Sequence, residues 1–200
     1  MVFVGRERET AHIVGELSAR SNVIVTGKYG VGRTSLIRHV AEVMRERRRF
    51  LFVDFSQTSA KVCFDLLGKI RPSKATTLDL RRLSYKSARA RVLRAEPADA
   101  RRHVLVLDNL GAVTASKLSL VRRLASTRRY QFIAITDSET GPTDLLHLRE
   151  SLYPVCLLGL RRLPRRASRE FFEIVARDLG LVWGEGEIAG SRALWVGIPS

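Results

Sequence analysis

With 200 residues, the chain is long enough for one α/β domain and a small appendage, and its 45% hydrophobic content allows a buried core. No apolar run approaches the length of a membrane span, and the N-terminus lacks the layout of a signal peptide, so we expect a soluble cytoplasmic protein. The net charge of +15 favours anionic partners such as nucleic acid, although an arginine-rich proteome or a heat-loving host would give the same composition.

Hydrophobic periodicity predicts helices and strands that alternate along the chain. In chain order we expect a helix over 6–18, a strand over 23–26, a helix over 34–48, a strand over 50–55, helices over 60–70 and 78–94, a strand over 104–108, a helix over 116–126, strands over 132–136 and 154–158, and a helix over 168–179. Apolar strands that alternate with helices are typical of a parallel sheet covered on both faces. Ligands of such sheets bind at the carboxyl ends of the strands.

The two cysteines, Cys63 and Cys156, are too few and too far apart for a disulfide framework or a metal knuckle. Both lie in apolar runs. We therefore expect two buried thiols.

The segment GKYGVGRTS, residues 27–35, joins the first predicted strand to the second predicted helix. A strand, a glycine-rich turn and a helix N-terminus form the setting of a phosphate-binding P-loop, in which backbone N–H groups surround phosphate oxygens. Thr34 lies where a hydroxyl binds Mg²⁺, whereas Arg33 stands at the usual lysine position. The residues expected to bind a nucleotide here are Gly27, Lys28, Gly30, Val31, Gly32, Arg33, Thr34 and Ser35.

The apolar run 104–107 ends in Asp108, which is the pattern of a Walker B strand. A carboxylate at this position would hold Mg²⁺ through water, opposite the Thr34 hydroxyl. The alternative is an ordinary aspartate that caps the turn after a strand.

A further motif, Val4-Gly5-Arg6-Glu7-Arg8-Glu9, precedes the first predicted helix. With this box ahead of its P-loop, the chain resembles the signal-transduction ATPases with numerous domains (STAND) and related archaeal ATPases of the AAA+ type. The resemblance implies a three-layer P-loop NTPase fold with a parallel five-stranded sheet and a truncated helical lid. It also implies a nucleotide-binding core over 1–160, a partial lid over 161–200, and ATP with Mg²⁺ as cofactors.

The same resemblance assigns roles to particular residues. Val4 and Gly5 would lie beside the adenine ring, and Arg6 and Glu7 would brace the box. Thr136 matches sensor 1, which reads the γ-phosphate. Pro199 matches the glycine-proline motif of the lid, whose proline lies near the adenine, and the alternative is a plain terminal turn. Arg161 and Arg162 follow the fifth predicted strand, where they either reach a phosphate or a neighbouring subunit or are plain surface arginines.

Two residues depart from the family pattern. The first is Arg33, which keeps the positive charge, but its planar guanidinium hydrogen-bonds differently from an ammonium group. Beside it, Lys28 matches the extra lysine of the deviant-Walker partition and septum-site ATPases, although a solvent-facing Lys28 is the alternative.

The second departure is Asn109, which replaces the family's acidic residue, and an amide orients water without accepting its proton. Glu7 or Asp54 could substitute as the base.

Three hypotheses for function follow. The first is an ATP-binding switch with slow hydrolysis, in which Asp108, Asn109 and Thr136 act on the phosphate and the chain self-associates or engages a partner protein. The second is a basic DNA-binding module, related to the origin-recognition and Cdc6-type ATPases, whose nucleotide site is vestigial. The third is a scaffold that needs neither ligand. The chain ends inside the expected lid, which predicts either a fragment or a minimal protein.

Overall fold

The computed structural model describes residues 5–70, 83–96, 101–111 and 113–164, together with residues 167, 169, 170, 173 and 174. Helices and strands alternate along most of these residues. The helices are α1 (Glu7–Ser18), α2 (Arg33–Val43), α3 (Ser59–Ile70), α4 (Tyr85–Arg94), α5 (Ala115–Ser126) and α6 (Pro142–Ser151). The strands are β1 (Asn22–Gly27), β2 (Arg48–Asp54), β3 (Arg102–Leu110), β4 (Tyr130–Asp137) and β5 (Val155–Leu160).

The five strands form one sheet in the order β2-β3-β4-β1-β5, and every neighbouring pair is parallel. The predicted parallel five-stranded sheet is therefore confirmed. All five carboxyl ends lie at one edge, where Thr26 is in register with Thr136 and Asp54 is in register with Asp108. This edge gathers the side chains that form the candidate site.

Buried apolar side chains pack on both faces of the sheet. On one face, Ile13 and Leu17 of α1 and Leu36 of α2 join a cluster with β1. On the other, Leu66 of α3 and Val121 of α5 belong to a cluster with side chains from β2, β3 and β4. The result is three layers, helix on sheet on helix, as the alternating pattern predicts.

Several predicted boundaries are wrong. The helix expected over 34–48 ends at Val43, because residues 45–49, which follow the buried Met44, offer no apolar side chains to the core. Arg48 instead begins β2, where its buried guanidinium donates to the Leu17 carbonyl oxygen and to the Gln131 side chain. The periodic pattern missed α6 because the helix is weakly amphipathic, with Leu148 as its one buried residue.

The helix predicted over 78–94 begins at Tyr85, and residues 78–82 lie outside the described part of the chain. Ser84 caps this helix, because its hydroxyl accepts a 3.2 Å hydrogen bond from the Ser87 backbone N–H. Most of the helix predicted over 168–179 also lies outside the described residues. In the part of the chain that the structure describes, no helix is both long enough and apolar enough to cross a bilayer.

The two cysteines differ in burial. Cys63 is fully buried in α3, as predicted, and burial raises the pKa of its thiol to about 11. Cys156 is only half-buried, so the prediction of a second buried thiol is wrong. The reason is that β5 is the edge strand of the sheet and has a neighbouring strand on one side alone.

Candidate nucleotide-binding site

The loop between β1 and α2 has the backbone geometry of an anion-binding turn. Gly30 and Gly32 adopt φ values of +79° and +86°, which glycine reaches without steric cost. Leu36 donates the hydrogen bond that opens α2, 2.9 Å from its N–H to the Gly32 carbonyl oxygen. The N–H groups of the preceding turn have no earlier helical carbonyl to bind, so they are available to an anion at this helix N-terminus.

A hydroxyl and a carboxylate meet beside this loop. Thr34, in the first turn of α2, donates from Oγ1 to Oδ1 of Asp108 over 3.1 Å. The two residues are 74 positions apart in the sequence, and the parallel order of the sheet brings them together. Oxygen ligands of this kind are the ones that Mg²⁺ prefers in proteins. The pair is therefore suited to hold Mg²⁺ next to a phosphate.

The Arg33 side chain points to the end of β4. Its guanidinium donates to the Thr136 carbonyl oxygen and forms a 3.2 Å ion pair with Asp137, and it is only 14% exposed. Burial alone would raise the pKa of Asp137, but the Glu139 backbone N–H and the charge of Arg33 hold that pKa below its usual value. The positive charge at the lysine position is thus already partnered by protein groups.

Thr136 directly precedes Asp137 at the end of β4, and its side chain is buried. The residue is 1% exposed, and within the described part of the chain its hydroxyl has no hydrogen-bond partner. An unpaired buried hydroxyl is unfavourable, so a group with a polar atom at this place would stabilise it. The sensing role that the family resemblance implies for Thr136 stays a prediction.

Asn109 and Asp54 form a pair at the ends of β3 and β2. Asn109 has a φ of +54° and donates from Nδ2 to Oδ1 of Asp54 over 3.3 Å, while its backbone N–H donates to the Asp108 carboxylate over 2.9 Å. Burial alone would raise the pKa of Asp54, but hydrogen bonds from Gln57, Ser56 and Asn109 lower it to about 2. Asp54 is therefore a weak base that stays ionised, although it contacts the residue expected to orient water.

The low pKa of Asp54 predicts how stability depends on pH. Because the folded-state pKa is depressed below 3.8, ionised Asp54 stabilises the fold above about pH 4, and this contribution is lost as the pH falls through about 2. The difference in free energy of unfolding between wild type and Asp54→Asn should be constant above pH 5 and shrink below pH 4. Urea unfolding at several pH values measures it, and a difference that grows with acid would contradict this assignment.

The N-terminal box is tied to the P-loop through Arg6. This buried side chain donates to the Val31 carbonyl oxygen over 3.1 Å and to the Arg161 carbonyl oxygen over 2.6 Å, and it forms a 2.7 Å ion pair with Glu9. Arg6 therefore links the start of α1, the phosphate loop and the end of β5. The bracing role that the resemblance implies for Arg6 stays a prediction, which these contacts support.

Gly5 and Glu7 complete the described part of the box. The Glu7 carboxylate accepts a 3.0 Å hydrogen bond from the Gly5 backbone N–H, and hydrogen bonds from the backbones of Glu7 and Gly5 lower the pKa of Glu7. A Cβ on Gly5 would lie 2.7 Å from the Ala167 Cβ, so only glycine allows this close approach. Val4 and Pro199 lie outside the described residues, so their predicted adenine contacts stay predictions.

The remaining predicted residues are placed as follows. Lys28 is exposed at the tip of the loop, Ser35 is half-buried in α2, and Gly27 ends β1 in register with Leu160. Arg161 and Arg162 are exposed after β5. Sequence reasoning missed Asp137, although its place directly after an apolar strand and next to Thr136 was a usable signal.

A three-layer parallel α/β fold with a glycine loop after β1 and an aspartate on β3 defines the class of P-loop NTPases. The chain belongs to the AAA ATPase domain family, whose profile matches residues 2–135. No curated protein sequence matches the chain significantly.

Solved structures with the same fold include two proteins from Aeropyrum pernix and one from Pyrobaculum aerophilum. The chain is similar to the Aeropyrum pernix ORC1 protein, solved in complex with DNA, with a TM-score of 0.68 and 17% identity over 88% of this chain and 50% of that one. It is similar to Cdc6p from Pyrobaculum aerophilum, with a TM-score of 0.63 and 12% identity over 86% and 49%. It is also similar to the Aeropyrum pernix ORC2 protein, solved as ADPNP–ADP complexes, with a TM-score of 0.59 and 13% identity. That match covers 86% of this chain and 52% of the ORC2 chain. The chain therefore spans about half the length of these relatives.

Proposed function

We propose that this chain binds ATP with Mg²⁺ and acts as a nucleotide-dependent switch of the STAND or AAA+ type that hydrolyses ATP slowly. The observation that carries the proposal is the 3.1 Å contact between Thr34 Oγ1 and Asp108 Oδ1 beside a loop with two left-handed glycines. A hydroxyl and a carboxylate at this distance suit one Mg²⁺ ion, and the start of α2 suits the phosphates.

Each residue has a distinct part in this proposal. Thr34 binds Mg²⁺ directly and Asp108 binds it through water. The backbone of the loop 27–35 holds the phosphates, and Arg33 adds positive charge beside them while its guanidinium stays paired with the end of β4. Thr136 reads the γ-phosphate with its unpaired hydroxyl, and Arg6 holds the N-terminal box against the loop.

Slow hydrolysis is supported by the groups around the attacking water. Asn109 orients water through its amide but cannot take its proton at neutral pH, and Asp54, with a pKa of about 2, is too weak a base to replace it. Absence of a general base costs roughly two to four orders of magnitude in rate. The nucleotide-bound states of the switch would therefore be long-lived.

The test is a titration of wild type and Arg33→Lys with Mg-ATP by calorimetry, followed by phosphate release. We expect both proteins to bind Mg-ATP with micromolar Kd. Turnover should be about tenfold higher in Arg33→Lys, because the shorter lysine lacks one of the charge-assisted hydrogen bonds that arginine makes to the end of β4. Its ammonium is then free to contact the γ-phosphate. The control is Lys86→Ala, which removes an exposed cation from α4, outside the loop, and should bind and turn over Mg-ATP like the wild type. Absence of binding by both proteins would overturn the proposal.

A second candidate function is DNA binding through a basic groove on the α2 side of β2. The groove has a volume of about 260 Å³ and is lined by Arg38, Ala41, Glu42, Arg45, Arg48, Arg49, Phe50, Phe52 and Arg101. Arg38 lies over the Phe52 ring, 5.8 Å from its centroid. Arg48 is buried and donates to protein groups, so the other four arginines, beside two aromatic rings, are the ones suited to a phosphate backbone.

DNA affinity measured with and without Mg-ATP, at low and moderate salt, separates the two functions. If the groove binds DNA, Arg38→Gln/Arg45→Gln should lower the salt slope by about 2, since each neutralised phosphate contributes about 0.9. The matched control is Arg122→Gln/Arg123→Gln, which removes two arginines from α5 on the opposite side of the sheet. An equal effect of both pairs would indicate nonspecific charge attraction and contradict a dedicated groove.

The domain division into a core over 1–160 and a partial lid over 161–200 is part of the same proposal, as is a cytoplasmic location. Self-association or contact with a partner protein also belongs to it, with the exposed Arg161 and Arg162 at the end of β5 as the candidate contact residues. Sedimentation with and without Mg-ATP would test whether association depends on the nucleotide.

A further inference from the structure

Three potential metal ligands converge at a place distant in sequence from the P-loop. His12 and Glu16 lie on α1, one helical turn apart, and Cys156 lies on β5. The imidazole nitrogen, carboxylate oxygen and thiol sulfur all lie within 4.8 Å of one another, and His12 Nε2 is 3.2 Å from Cys156 Sγ. None of these three residues takes part in the nucleotide site proposed above.

The core of the protein holds these three side chains in place. Ile13 and Leu17, which follow His12 and Glu16 directly, are fully buried against the sheet and fix the rotation of α1. Cys156 lies on the same face of β5 as Leu158, which packs in that cluster. The helix therefore presents His12 and Glu16 together, at positions i and i+4, to the thiol of the edge strand.

We propose that His12, Glu16 and Cys156 form a binding site for a divalent transition metal of the Zn²⁺ class. Nitrogen, oxygen and sulfur donors together are the ligand set of Zn²⁺, whereas Mg²⁺ and Ca²⁺ take oxygen ligands. Three protein ligands leave the fourth tetrahedral position for water.

The distances agree with this geometry. Zinc bonds of about 2.3 Å to sulfur and about 2.05 Å to nitrogen at a tetrahedral angle place those two atoms about 3.6 Å apart. The observed separation of 3.2 Å between His12 Nε2 and Cys156 Sγ needs only a small outward movement of two half-exposed or exposed side chains to reach that value. The exposed His12 leaves a path by which an ion enters.

A metal at this place would join α1 to β5. The helix begins directly after Arg6, whose guanidinium bonds to Val31 in the phosphate loop and to Arg161 after β5. Arg6 already links the start of α1 to the residue that follows β5, so a bound metal would add a second link between the same helix and strand. Linkage predicts that a metal bound only by the folded chain raises the melting temperature.

The experiment titrates the untagged chain with Co²⁺, a spectroscopic substitute for Zn²⁺, and then displaces it with Zn²⁺. We expect one equivalent to bind with a thiolate-to-metal charge-transfer band, and a rise in Tm of about 5–10 °C at a hundredfold excess over Kd. Cys156→Ser should abolish the band, and His12→Gln should weaken Co²⁺ binding at least tenfold.

Two control variants keep the result specific. His147→Gln removes another histidine from α6, and Cys63→Ala removes the other thiol; both should retain the band, with circular dichroism to verify their folding. Absence of the band in wild type, its persistence in Cys156→Ser, or its loss in His147→Gln would overturn the proposal. Because Mg-ATP binding does not enter this assay, the result is independent of the proposed function.

Discussion

Replacing Asp108 by asparagine should weaken Mg-ATP binding about 10- to 100-fold while leaving Mg²⁺-free ATP binding nearly unchanged. Asp108 accepts hydrogen bonds from the Thr34 hydroxyl and the Asn109 backbone N–H, and the substitution preserves its size but removes the charge that would hold the ion. Hydrogen bonds to charged groups contribute about 1.5–3 kcal/mol, and each 1.4 kcal/mol corresponds to a tenfold change in affinity. Calorimetric titrations with ATP, in the presence of Mg²⁺ and then of a chelator, measure both values.

The control for this prediction is Asp65→Asn, the same chemical change on α3, where Asp65 forms a 2.7 Å ion pair with Lys69. Exposed pairs of this type contribute little to stability, so this variant should bind Mg-ATP like the wild type. If Asp108→Asn also binds Mg-ATP like the wild type, Asp108 is an ordinary turn-capping residue and the proposed metal role is wrong.

Replacing Asn109 by aspartate should raise ATP turnover about 100-fold. Aspartate tolerates the φ of +54° at this position, and it adds a carboxylate able to accept the proton of the attacking water. Asp54 lies 3.3 Å from the replaced amide nitrogen, so two like charges would meet there and raise the pKa of one carboxylate toward the range of an effective base. Single-turnover phosphate release measures the rate.

The double variant Asp54→Asn/Asn109→Asp serves as the control, since it keeps the new carboxylate and removes the repulsion. It should be more thermally stable than Asn109→Asp alone, with a smaller gain in turnover. A rate for Asn109→Asp within twofold of the wild type would mean that a missing base does not limit hydrolysis in this chain.

The helices and strands closest to the P-loop could be predicted well from sequence. The apolar run before Gly27 and the helical periodicity after Thr34 carry local signals, and the run ending in Asp108 does the same for β3. Sequence-based prediction failed where apolar residues do not recur at helical spacing. This is why α6 was missed and why α2 was predicted to extend into the arginine-rich segment that begins β2.

The chemistry of the site depended on contacts that no local pattern encodes. The sequence indicated a cation at position 33, but the ion pair of Arg33 with Asp137 follows from the placement of β4 next to β1. The hydrogen bond between Asn109 and Asp54 likewise requires β2 to lie beside β3. These partners lower the pKa of Asp54 and of Asp137 at the carboxyl edge of the sheet.

The sequence by itself determined the alternation of strands and helices, the phosphate loop and the aspartate after an apolar strand, because each depends on a pattern of residues that are adjacent in the chain. Only the tertiary structure decided which strand ends meet, since strand order depends on how the whole sheet buries its faces. That order brings Thr34 to Asp108, and the packing of α1 on the sheet brings His12 to Cys156.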